Sequence, residues 1–186
     1  MEEKRRAPTL FTAGTRGAWR IDHVIAVRGE ALPAAAYLDV ASRWEPEPGA
    51  AWALRGTVSS GRYTERREKA PLDAASPPLA RSEASRACLI PLTKSPAWWA
   101  LTQDERRAIF EERSRHLSDS MRFLPRVARR LYHSRDLGEP FDFVTWFEFA
   151  PEHEPAFDEL LHMLRSREEW TFVDREVEVR LTRATG

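Results

Sequence analysis

Phe143-Val144-Thr145-Trp146-Phe147-Glu148-Phe149 puts Phe143, Thr145, Phe147 and Phe149 on one side of an extended chain and Val144, Trp146 and Glu148 on the other. A two-residue period of this kind reads as a strand with two distinct faces. Upstream, across the turn Asp136-Leu137-Gly138, stands Arg129-Arg130-Leu131-Tyr132-His133-Ser134. Further back is Lys94-Ser95-Pro96-Ala97-Trp98-Trp99, in which Ser95 and Pro96 supply the cap and first-turn proline of a short helix.

Between these runs the spacing predicts one helix over Gln103–Leu124, opened by the capping box Thr102-Gln103-Asp104-Glu105. Phe110, Leu117, Met121 and Leu124 form its apolar stripe, with Ile109, His116, Ser120 and Phe123 on the face beside it. His116 therefore lies at the edge of the buried side, where a histidine is more often locally hydrogen-bonded than a ligand. Arg129 follows thirteen residues later. On a straight helix that offset means ~20 Å of rise and nearly opposite faces. Pro125 is expected to end or kink the helix near Phe123 or Leu124, and a turn there would carry Arg129 around the edge of a flat ligand whose other face meets His116. By itself the pair Arg129-Arg130 reads as a solvated basic pair at a helix C-terminus. Paired tryptophans, a helical histidine, an arginine behind a proline and an aromatic strand together suit a haem pocket.

The same combination, Lys94-x-x-x-Trp98-Trp99, His116, Arg129 to Ser134 and Asp142-Phe143-Val144-Thr145-Trp146-Phe147, resembles the C-terminal half of the chlorite dismutase family of haem proteins. The resemblance covers about half of the chain; the N-terminal half matches in length and general pattern. It implies haem b as the cofactor, with His116 as the proximal iron ligand and Glu169 holding the other ring nitrogen. Such a carboxylate fixes the tautomer and strengthens the imidazole as a donor. Glu168 is adjacent, and the choice between the two rests on the spacing to Phe172. Arg129, three residues before Tyr132, matches the distal arginine; in family members that decarboxylate coproporphyrin haem it is typically replaced. Phe147 matches a distal aromatic that narrows the pocket. Lys94 and Trp98 match residues at the haem edge and propionates, and Tyr63, in Gly61-Arg62-Tyr63, is a further propionate candidate. The activity implied converts chlorite to chloride and dioxygen, through a ferryl intermediate and retained hypochlorite. The alternatives are a coproporphyrin haem decarboxylase or haem peroxidase on the same scaffold, or a non-enzymatic haem-binding protein.

Composition bounds the rest. Lysine plus arginine equal aspartate plus glutamate at 29 each, which argues against a general nucleic-acid binder. The lone Cys88 sits in the apolar run Ala87–Leu92, a predicted strand, and reads as a buried small hydrophobe. Seven tryptophans in 186 residues exceed ordinary core needs, and some suit the walls of a large planar ligand. The charged start Met1–Arg6 is not followed by a signal-peptide apolar region, and no stretch is long enough to span a membrane. A cytoplasmic protein is the expectation.

Towards the N-terminus, Ala18–Val27 alternates as a half-buried strand with His23 on its more apolar face, where a core histidine is expected. Pro33 is expected to open a helix to about Arg43, with Leu38, Ala41 and Trp44 inward. A strand over Ala51–Ser59 follows, then the segment Thr64–Arg86, whose run Glu65-Arg66-Arg67-Glu68-Lys69 reads as a solvated helix face that also offers bases to haem propionates. After the aromatic strand come a helix through Phe157, Leu160, Leu161 and Leu164 and a strand over Thr171–Thr182 with Val177, Val179 and Leu181 inward.

This order suits an α+β fold of antiparallel sheets with helices on one face. Two ferredoxin-like halves, residues 1–93 and a haem-binding 94–186, would close into a barrel-type core. The resemblance implies the same dimeric α/β barrel architecture, helices on the outer face, in the compact branch whose members are typically homodimers. Trp146, pointing away from Phe147, is a candidate interface residue.

Overall fold

The structure, a computed structural model, describes residues 7–59 and 64–184. Eight strands, β1 (Thr9–Gly14), β2 (Trp19–Arg28), β3 (Tyr37–Ser42), β4 (Trp52–Val58), β5 (Arg86–Lys94), β6 (Val127–His133), β7 (Phe143–Phe149) and β8 (Val173–Arg183), close into one antiparallel barrel. Around the ring the order is β1-β3-β2-β8-β5-β7-β6-β4. The first four strands and the last four thus repeat one arrangement, fourth-first-third-second, and the second set begins with β5. At the β4–β6 seam the described residues pair as Thr57↔His133 and Val58↔Tyr132, with the Ser59 amide donating to the Leu131 carbonyl at 2.9 Å. Gly56 makes this approach possible, because a Cβ there would stand 2.5 Å from that of Tyr132.

Alternation divides the strands between two cores. Leu89, Tyr132, Val144, Trp146, Val177 and Val179 point into the barrel and pack with Phe11, Trp19 and Leu38 from the first four strands. Cys88, Ile90, Phe147 and Phe149 point outward, under the helix α5 (Glu154–Arg165) that brings Phe157, Leu160, Leu161 and Leu164. The remaining helices are α1 (Arg66–Ala75), α2 (Pro96–Ala100), α3 (Gln103–Arg107) and α4 (His116–Ser120). Among the described residues, no helix lies between β1 and β4, and none is long and apolar enough to cross a membrane.

Four expectations are corrected. The segment after Pro33 is not helical: Tyr37–Ser42 is β3, paired along its length with β1, a strand that the periodicity did not announce. Leu38, Ala41 and Trp44 satisfy a helical period, but Leu38 and Val40 also satisfy a two-residue one, and the available partner strand decides. Trp44, expected inward, is 42% exposed. Secondly, the long helix breaks before His116 and not at Pro125. α3 passes into a π-helical turn, Ala108–Arg113, and Arg115 adopts φ +50° before α4 begins. The Glu111 carboxylate accepts from the Leu117 and Ser118 amides at 2.7 and 3.1 Å, replacing bonds that a continuous helix would have made. Pro125 falls in the turns ahead of β6, so Arg129 stands on a strand.

Thirdly, Trp146 is 2% exposed and belongs to the barrel interior, edge-on to Trp19 at 5.3 Å, with its Nε1 donating to Glu148. Pointing away from Phe147 means pointing inward once the sheet closes. Fourthly, His23 is exposed on the outer side of β2, as are Ile25 and Val27. A register shift between Ile21 and His23 exchanges the faces there. The capping box at Thr102, by contrast, forms as read: the Thr102 amide donates to Glu105 at 2.7 Å and the Glu105 amide to the Thr102 hydroxyl at 3.3 Å.

Candidate functional site

The outer face of β5, β6 and β7 and the helices laid over it enclose a cavity of about 300 Å³. Its walls are mainly apolar, with Ile90, Leu131, Phe143 and Phe147 from the sheet and Leu117 and Leu161 from the helices. Alternation places these side chains there: Arg129, Leu131, Phe143 and Phe147 face outward, while Tyr132, Val144 and Trp146 face the barrel.

His116 enters from the helical wall as the first residue of α4. Its Nδ1 lies 2.6 Å from Glu169 Oε2, and Glu169 Oε1 accepts from Lys94 Nζ at 2.8 Å. The Glu169 amide donates to Ser114 Oγ at 3.0 Å, tying this turn to the π-helical segment. Burial alone would raise the Glu169 carboxyl. The Lys94 ammonium and the His116 hydrogen bond outweigh it and hold the group down at about 2. An ionised Glu169 can only accept, so the shared proton sits on Nδ1, and Nε2 is the ring nitrogen left facing away from the carboxylate. Among the described residues, no hydrogen bond is made by Nε2. Glu168, the neighbouring carboxylate, is directed outward to Arg113 at 3.3 Å.

Arg129 enters from the opposite wall, on the outward face of β6 and in register with Phe147. Among the described residues it has neither a hydrogen-bond nor an ion-pair partner. Burial lowers its pKa, yet a guanidinium starts so high that it stays charged. A half-buried cation without an anion is still costly, and a wall that keeps one suits an anionic ligand. Arg130 occupies the alternate face of the strand and is exposed.

The structure therefore brings His116, Glu169, Lys94, Trp98, Arg129 and Phe147 to one cavity. Tyr63 lies outside the described residues. Lys94 is committed to Glu169, with its ammonium 4.6 Å from the Trp98 ring and 5.5 Å from that of Trp170. Trp98 is fully buried, and Trp99 stacks on Phe143 at 6.0 Å while its Nε1 donates to Asp142. Two contributors carry no signal of their own for the site in the sequence: Phe110 and Trp170 both lie near-parallel to the imidazole, at 4.4 and 6.2 Å. Lys69, from the run expected to offer bases to propionates, lines the cavity, with Asp73 of the same helix α1. Trp170 belongs to a 3-10 turn, where no apolar period marks it; its place beside Glu169 was the available signal.

The donor set fits a haem. Among the described residues no three His, Cys, Asp or Glu side chains cluster to hold a bare metal ion, and a macrocycle needs only one protein ligand. One imidazole nitrogen is fixed by a carboxylate, the other is uncommitted, and both stand in a large apolar cavity.

A family model described as chlorite dismutase matches residues 49–185. The chain is 55% identical to dimeric chlorite dismutase of Nitrobacter winogradskyi, whose crystal structure superposes with a TM-score of 0.89, covering 95% of this chain and 99% of that one. The structure of chlorite dismutase from Candidatus Nitrospira defluvii in complex with imidazole shares the fold at 18% identity and a TM-score of 0.65, covering 94% of this chain and 90% of that one. A chlorite dismutase of Ideonella dechloratans is 40% identical over 62 residues, which is 33% of this chain and 20% of the relative's length.

Proposed function

This chain belongs to the chlorite dismutase family, and on that premise we propose that it binds haem b and converts chlorite to chloride and dioxygen. The observation that carries the reading is the pairing, across one apolar cavity, of a carboxylate-held histidine with an arginine that has no anion of its own.

His116 would hold the iron through Nε2, with Glu169 accepting from Nδ1 and Lys94 keeping Glu169 ionised. Bound haem supplies the chemistry that breaks the O–Cl bond and joins the two oxygens of chlorite as dioxygen. The chain's residues serve that reaction from the walls. Arg129 attracts the chlorite anion and retains the hypochlorite anion released beside it, because its charge does not depend on pH over any working range. Phe147 and the leucines exclude water, which strengthens that attraction and limits escape. No proton is consumed or released overall, so the site needs no general acid, and Arg129 is suited to it by never giving up its proton.

The architecture is read in the same way. The repeated strand order supports two ferredoxin-like halves, the second haem-binding, with their division ahead of β5 rather than between residues 93 and 94. Identity with a dimeric relative supports a homodimer.

The test is haem reconstitution followed by an oxygen electrode trace on adding chlorite. A histidine-ligated ferric spectrum and an oxygen burst are expected. In Arg129→Ala, turnover should fall by about 10²–10³, the scale for removing one group that stabilises developing charge, and total oxygen per haem should fall with it. Wild-type yield from that variant would remove Arg129 from the mechanism. Haem binding without oxygen would redirect the reading to a decarboxylase or a binding protein.

A further inference from the structure

One hydrogen bond at Nδ1 sets the direction of the His116 ring but leaves the ring free to pivot about that bond. Two aromatic planes restrict the pivot. Phe110 lies 4.4 Å from the imidazole centroid at 25°, and Trp170 lies 6.2 Å away at 26°. Phe110 is on the π-helical turn that precedes the break, and Trp170 is on the 3-10 turn that carries Glu169.

Trp170 is itself anchored. Its Nε1 donates to Glu176 Oε2 at 2.8 Å. Glu176 is 1% exposed, and its other oxygen accepts from Arg165 Nε and Nη2 at 2.9 and 2.7 Å. Arg165, in the last turn of α5, also donates to the buried Glu178 at 2.6 Å. Both carboxylates belong to β8, so the indole is pinned to a strand of the barrel. Buried carboxylates are costly, and a site that retains two of them with a shared arginine gains geometric definition. A half-buried indole whose N–H is directed at one of them has little freedom to turn.

We propose that Trp170, pinned by Glu176 and Arg165, is a positioning residue that sets the plane of the His116 imidazole. The inference rests on His116 being the haem ligand and adds a further layer behind it. Glu169 determines where Nδ1 points, and the Phe110–Trp170 pair determines how the ring is rotated. In a haem complex, that rotation orients the imidazole relative to the four pyrrole nitrogens, and with it the distribution of unpaired spin over the porphyrin.

Proton NMR of the ferric cyanide adduct of the haem-reconstituted protein reads this directly, because the spread and order of the four haem-methyl resonances follow the imidazole plane. Trp170→Phe keeps an aromatic ring but removes the anchoring N–H, and should shift both spread and order. Glu176→Ala should shift them in the same sense, and the double variant no further than either single one, since the two act in series. Glu176→Gln keeps an oxygen acceptor for the indole and should restore the wild-type pattern. A wild-type methyl pattern in Trp170→Phe, or single shifts that add in the double variant, would overturn the proposal. Trp170→Phe alone decides the matter if Glu176→Ala does not fold. His116→Ala separates the two levels: a histidine-ligated spectrum that survives in it would overturn the haem-ligand reading, and this inference with it. Loss of that spectrum together with an unmoved Trp170→Phe pattern would overturn this inference alone.

Discussion

The two halves of the barrel share one strand order and differ in what covers them. In the half from β5 onward, the outer face lies beneath α5 and carries Ile90 and Phe147, while Arg129 stands at the cavity wall. In the half from β1 to β4, the described residues place no helix over the outer face, and Ile25 and Val27 stay 45% and 38% exposed. A strand pattern can therefore be repeated without repeating a site. The site arises where long connections, between β4 and β5, between β5 and β6 and between β7 and β8, provide a second wall. The first half lacks such connections and supplies the other side of the interior core.

Substitutions can break this comparison. The largest expected effect is in the covered layer. Phe157 is fully buried and stacks on Phe149 at 4.5 Å, so Phe157→Ala should cost about 3–5 kcal/mol in denaturant unfolding, from lost transfer energy and the cavity left behind. A cost below about 1 kcal/mol would show that α5 is not what seals that face.

Next comes acid. Glu169 is held at about 2 against an ordinary 4.5, so its ionised form favours the folded state. That contribution is fully present above pH 4.5 and disappears as the pH falls towards 2; at 1.36 kcal/mol per unit it amounts to about 3 kcal/mol at most. The difference in unfolding free energy between wild type and Glu169→Gln should therefore shrink as the pH falls through that window. A difference independent of pH would mean that Glu169 is not held ionised by Lys94 and His116.

The smallest effect is expected on the uncovered face. Ile25→Thr should change unfolding by no more than about 0.5 kcal/mol, the usual range for surface sites. A cost of several kcal/mol, growing with protein concentration, would show that β2 is covered in an assembly, and would remove the contrast between the halves.

How much was legible follows from the range of each signal. The alternation of β7 and the capping box at Thr102 are local patterns, and both formed. The strand β3 was misread as a helix because Leu38, Ala41 and Trp44 fit a helical spacing, and only pairing with β1 excludes it. The break before His116 was misplaced for a related reason. Pro125 is a visible breaker, whereas the actual device is Arg115 in a left-handed conformation with Glu111 reaching across it. His116 and Arg129 were singled out from the sequence, yet the expected route between them, a kink at Pro125, is replaced by a strand on one wall and a short helix on the other.

The amino-acid sequence by itself determined which residues alternate and where most strands run, because both depend on neighbours a few positions apart. Only the tertiary structure decided that Trp146 faces inward, that Lys94 pairs with Glu169, and that Trp170 stands beside His116. Each depends on closure of the barrel or on contacts 53–75 residues apart along the chain, such as His116–Glu169 and Lys94–Glu169. Charge and ring contacts at that separation leave no period in the sequence, since burial selects the partner only after the chain has folded.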